Sequence, residues 1–101
     1  MDIKDLQQRQ AEYDVDYWQH NHSEFEKIRH ITLHLGNLLG KLTNYCERQE
    51  HGGNHPTTQI QDEVIPDLQM YSLQLANLLG VDAGERYLSR LEENIKRLSK
   101  K

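Results

Sequence analysis

The sequence predicts an all-α fold of four helices, and three observations predict it. Apolar residues recur at three- and four-residue spacing over long stretches, helix-start patterns precede those stretches, and no strand-like alternation or hairpin dipeptide competes. With 101 residues there is room for a single domain, 1–101, holding one modest core.

The N-terminal stretch places Ile3, Leu6, Tyr13 and Tyr17 on one loose helical face, and Trp18 to His22 form the turn after it. Ser23 and Glu26 then have the Ser-x-x-Glu form of a capping box, in which each side chain satisfies the other residue's free backbone amide. Behind it Ile28, Ile31, Leu35, Leu38, Leu42 and Tyr45 follow a 3-4-3-4-3 spacing, which predicts a long helix from near Ser23 to near Glu50. Leu33 and Leu39 widen this stripe, and Cys46 reads as a small buried hydrophobe at its end. Gly36 and Gly40 form a small-xxx-small pair that predicts close approach of another backbone.

His51, Gly52, Gly53, Asn54, His55 and Pro56 are the clear breaker cluster, a flexible loop placed to shape a pocket beside the helices. His20, His22, His51 and His55 are expected to face solvent. A second long helix opens at Thr57 or Thr58 and carries Ile60, Val64, Leu68, Tyr71, Leu75 and Leu78, with Gly80 as a left-handed stop. Pro66 interrupts it, because its ring removes an amide and crowds the carbonyl of Asp62 at a cost of about 3 kcal/mol. A kink or a late helix start is expected there.

Asp82 and Glu85 repeat the capping pattern, and Leu88, Leu91, Ile95 and Leu98 continue at 3-4-3 into Ser99, Lys100 and Lys101, whose cations suit a helix C-terminus. Two long central helices with shorter N- and C-terminal ones make a four-helix bundle. A chain of this size hides roughly 60–65% of its unfolded surface, so the apolar remainder predicts completion by a second copy, as a homodimer or a larger assembly.

Sixteen acidic residues against 12 basic ones give a net charge of −4, which argues against a nucleic-acid partner. The acids could instead supply oxygen ligands to a divalent metal. No apolar run approaches the roughly 18 residues of a membrane span, and the first residues lack a signal peptide's pattern, so a cytoplasmic protein is expected. One cysteine allows neither an internal disulfide nor a Cys-based zinc site.

The stretch from Asp67 to Asp82, Asp-Leu-Gln-Met-Tyr-Ser-Leu-Gln-Leu-Ala-Asn-Leu-Leu-Gly-Val-Asp, resembles the third helix and following turn of MazG-like all-α nucleoside triphosphate pyrophosphohydrolases. Leu6 to Tyr13 is similar to that family's N-terminal helix, and His30 to Leu42, ending Leu39-Gly40-Lys41-Leu42, is similar to the helix bearing its EExxE motif. Arg90, Asn94 and Arg97 match the Lys, Asn and Arg spaced along the family's last helix. The resemblance covers nearly the whole chain and implies a MazG-like bundle. It also implies a reaction, cleavage of a nucleoside triphosphate to monophosphate and pyrophosphate, with Mg²⁺ held by carboxylates from EExxE on one helix and ExxD on the next.

Aligned on Gly40, the three glutamate positions of EExxE are Asn37, Leu38 and Lys41; aligned on Asp67, the ExxD positions are Val64 and Asp67. Four of the five carboxylates are absent, so the resemblance implies weak or lost activity. Lys41 is expected to pair with Asp67. A substitute metal site could use His30 and His34, four apart on one helix, with Glu63 and Asp67, four apart on the next; the catalytic carboxylates would then be Asp67 and Glu63. Acidic residues at a helix start also favour its dipole without any further role.

Arg90, Asn94 and Arg97 at i, i+4 and i+7 put two guanidinium groups and an amide on one helix face, a phosphate-recognition set by resemblance or a charged outer face with Glu92, Glu93 and Lys96. Two functional expectations follow. One is a MazG-like pyrophosphohydrolase homologue of weak or no activity; the alternative is a non-catalytic nucleotide-binding or regulatory helical oligomer.

Overall fold

The computed structural model describes residues 1–18 and 22–99, and those residues form helices joined by short loops. The order is α1 (Ile3–Tyr17), α2 (Glu24–Glu50), a π-helical turn (Ile60–Val64), α3 (Ile65–Leu79) and α4 (Ala83–Ser99). No strand occurs among the described residues, and no helix is long and apolar enough to cross a membrane. His20, Lys100 and Lys101 lie outside the described residues.

Side-chain caps set the helix starts. Asp2 and Asp5 cap α1 reciprocally, and Ser23 and Glu26 cap α2 in the expected box. Hydrogen bonds from His22 and then Ser23 hold the Glu26 carboxyl below its ordinary pKa. Asp82 Oδ1 accepts the Glu85 amide at 2.9 Å at the start of α4.

Both long helical segments end in Schellman turns. After α2, Gly53 N–H donates to Arg48 C=O and Gly52 N–H to Gln49 C=O; after α3, Val81 N–H donates to Ala76 C=O and Gly80 N–H to Asn77 C=O. Gly52 and Gly80 take the left-handed conformation this needs, with φ of 83° and 69°.

Of the two expectations at Pro66, the late helix start does not occur. Residues 58–79 are continuously helical, and the turn just before Pro66 widens to π, with Ile65 N–H donating to Ile60 C=O. A widened turn is the local answer to a ring that would otherwise meet the Asp62 carbonyl.

The chain divides into two compact units. In the unit of residues 19–72, α2 packs against the π turn, and Ile31, Leu38 and Val64 are buried there. Each contributes about 1.5–3 kcal/mol by leaving water. The expected stripe is narrower than the sequence suggests. Leu33, Leu39 and Cys46 are exposed, because a long helix packed along one line covers only the arc through Ile31, Leu38 and Leu42. A Cβ on Gly36 or Gly40 would meet nothing within 4 Å, so among the described residues no other segment's backbone approaches either glycine.

The other unit comprises residues 1–18 and 73–101, in which α1 lies against α4 and against the second part of α3, where Leu73 and Ala76 are buried. The expected apolar face of α1 is only partly covered: Ile3 reaches α4, where a Cβ on Gly84 would stand 2.7 Å from Ile3 Cγ2, while Leu6, Tyr13 and Tyr17 are exposed and polar side chains make further contacts. Gln7 donates to Val81 C=O at 2.8 Å and accepts the Ala83 amide at 3.1 Å, while its own carbonyl accepts from Asn77. Asp14 Oδ1 accepts from both Gln10 and the buried Gln74. Gln7 thereby satisfies backbone groups at the α3–α4 turn that no helix could satisfy.

Candidate functional site

The residues that the sequence marks for chemistry on α2 fall on one polar flank beside its buried arc. His30, His34, Asn37, Lys41, Asn44, Tyr45 and Arg48 recur at three- and four-residue steps, next to the line of Ile31 and Leu38. The helix therefore carries histidines, amides and cations along the flank where the resemblance implies carboxylates.

At the N-terminal end of this flank, the His30 and His34 rings lie 4.4 Å apart between centroids, and His34 stacks on Tyr71 at 5.4 Å. Partial desolvation, and then the charges of His34 and His22, hold His30 below its ordinary pKa. Two adjacent imidazoles resist becoming cations together.

In the middle, Leu38 and Val64 are 2% and 1% exposed, so two positions of the family's carboxylate motif belong to the packed core. Lys41 Nζ lies 3.7 Å from Glu63 Oε2 and not on Asp67, which corrects the expected pairing. Glu63 lies within the π turn and Asp67 beyond it, in the first turn of α3. Asp67 is half-buried and has no ion-pair partner among the described residues. No three His, Cys, Asp or Glu side chains among the described residues gather into a group able to hold a metal, so His30, His34, Glu63 and Asp67 are not brought together as one site.

The C-terminal end of the flank opens into a cleft of about 510 Å³, which sequence reasoning anticipated only as a loop able to shape a pocket. Asn44, Tyr45 and Arg48 of α2 form one wall, His55 and Pro56 of the loop a second, and residues 58–63 the third. The Schellman turn fixes where the loop leaves α2, and Gln49 fastens it further by donating to the Tyr45 hydroxyl at 3.0 Å and to His55 C=O at 3.2 Å. Gly53 allows the close approach, because a Cβ there would stand 2.6 Å from His55 Nε2. The signal was in the sequence: a helix whose last turn carries Arg48, followed by two glycines and His55.

On α4, Arg90 donates to Glu93 at 3.0 Å and Arg97 donates to Asn94 Oδ1 at 3.0 Å. Both guanidinium groups are exposed and held by neighbours on their own helix, pairs that cost little to break. Compared with family models, with curated proteins and with solved structures, the chain matches none.

Proposed function

We propose that the chain is a MazG-like, cytoplasmic helical protein that binds a nucleotide and cleaves it weakly or not at all, acting as a non-catalytic or regulatory oligomer. The observation that carries this reading is the burial of Leu38 and Val64 where α2 meets the π turn. Mg²⁺ needs a near-octahedral set of oxygen donors. Among the motif positions only Asp67 offers a carboxylate, and its neighbour Glu63 is engaged by Lys41, so the donor set does not fit that ion. Arg90, Asn94 and Arg97 are the phosphate ligands that the resemblance supplies, since guanidinium groups bind phosphate without a metal.

A second copy of the chain is the partner in this reading. Leu88, Leu91, Ile95 and Leu98 line α4 at 3-4-3 spacing and are 42–61% exposed, a contiguous apolar surface of the kind that marks an interface.

Purified protein incubated with a panel of nucleoside triphosphates and Mg²⁺ or Mn²⁺ should release no sustained pyrophosphate. Calorimetry with the same nucleotides should show binding that Arg90→Ala or Arg97→Ala weakens. Steady turnover abolished by Asp67→Ala would overturn the reading in favour of a hydrolase.

A further inference from the structure

The cleft at the end of α2 has no part in the reading above, yet it has the features of a ligand site. Its volume of about 510 Å³ lies within the range of small-molecule pockets. Its loop wall is pinned by two backbone hydrogen bonds of the Schellman turn and by the Gln49 amide. A cleft with a fixed wall orders little on binding.

The charges select the ligand. Arg48 lines the cleft, and its guanidinium has no carboxylate partner among the described residues. Two acids line the same cleft: Glu63, which pairs with Lys41 at 3.7 Å, and Asp62 on the third wall. Among the charged groups lining the cleft, Arg48 offers a fork of N–H donors that matches phosphate geometry. His55 lines the cleft with Arg48, and its ring packs over Gly53, next to the Arg48 backbone carbonyl, where a side chain on Gly53 would displace it.

The remaining lining supplies a place for a flat group. Half-buried Tyr45 offers an aromatic face, Pro56 and Ile60 offer apolar walls, and the Asn44 amide offers both a donor and an acceptor. We propose that this cleft binds a phosphate monoester carrying a planar ring, of the nucleoside monophosphate class, with the phosphate on Arg48 and His55 and no metal ion. The site is separate from the Arg90, Asn94 and Arg97 set and does not rest on it.

The probes are adenosine monophosphate, adenosine and inorganic phosphate, each titrated into the full chain with EDTA present and followed by calorimetry and by amide shifts in ¹H–¹⁵N spectra. The monophosphate should bind more tightly than either fragment, shifting the amides of Gly53 and His55. Arg48→Gln, a change at an exposed side chain that leaves the fold intact, should weaken it about tenfold or more, in line with the loss of a charge-assisted bidentate contact. Gly53→Ala should weaken it by displacing His55. Arg29→Gln, on another face of α2, should leave it unchanged.

Equal affinity in Arg48→Gln and the unaltered protein would overturn the proposal. So would loss of binding in EDTA, or an equal drop in Arg29→Gln, which would mean diffuse charge attraction. Binding lost in Arg90→Gln but kept in Arg48→Gln would sustain the α4 reading and sink this one.

Discussion

Lys41 Nζ lies 3.7 Å from Glu63 Oε2, joining α2 to the π turn where the resemblance implies carboxylates from both helices around a metal. The Glu63 side chain is half exposed, so the pair contributes little to stability. Glu63→Gln should change the unfolding free energy by no more than about 1 kcal/mol in urea titrations. Leu38→Ala, one turn away in the core, should cost about 2–5 kcal/mol in the same measurement. A reversal of that order would remove Leu38 from the core assigned to it.

Gln7 ties α1 to the α3–α4 turn through Val81 C=O and the Ala83 amide. Replacing it with Ala leaves both backbone groups without their partner, and should destabilise the chain by about 1–3 kcal/mol. Gln8→Ala, which removes only an exposed contact with Glu12, should stay within about 0.5 kcal/mol. Similar losses at both positions would show that the hydrogen bonds of Gln7 contribute nothing specific.

His30 makes stability depend on pH. Its folded pKa is below the ordinary value of 6.5, so the unfolded chain binds the proton more readily than the folded one. Its contribution is therefore present above about pH 6.5 and is lost as pH falls through the lower folded value. Melting temperatures measured between pH 8 and pH 5 should fall, and His30→Gln should shrink that fall by removing one of the paired imidazoles. An unchanged fall in the variant would assign the pH dependence to other groups.

The exposed seam of α4 predicts concentration-dependent mass. Sedimentation of the unaltered chain should give at least a dimer at micromolar concentration, and Leu91→Glu, which places a charge in the middle of the seam, should give a monomer. A monomer from the unaltered chain would remove the second copy from the proposed function.

Much of the fold was legible because it is written in local chemistry. The apolar spacing behind Ser23, the capping pair Ser23 and Glu26, and the left-handed stop at Gly80 each act within a few residues, and each stands where the sequence places it. The site was less legible, because its pairings join residues far apart in the chain. Opposite charge alone pairs Lys41 with Asp67; in the structure Lys41 meets Glu63, in the π turn before Pro66.

The sequence by itself determined where the helices begin and end, and that four carboxylate positions of the motif it resembles are vacated. Only the tertiary structure decided which vacated positions became core. Leu38 and Val64 are buried while Leu39, equally apolar and adjacent, is exposed. It likewise decided that α1 is held by hydrogen bonds of Gln7 and Asp14 while Tyr13 and Tyr17 stay exposed. Periodicity reports which residues share a face. Which face is covered depends on the neighbour it meets, and that neighbour is set by loop geometry and by backbone groups needing partners.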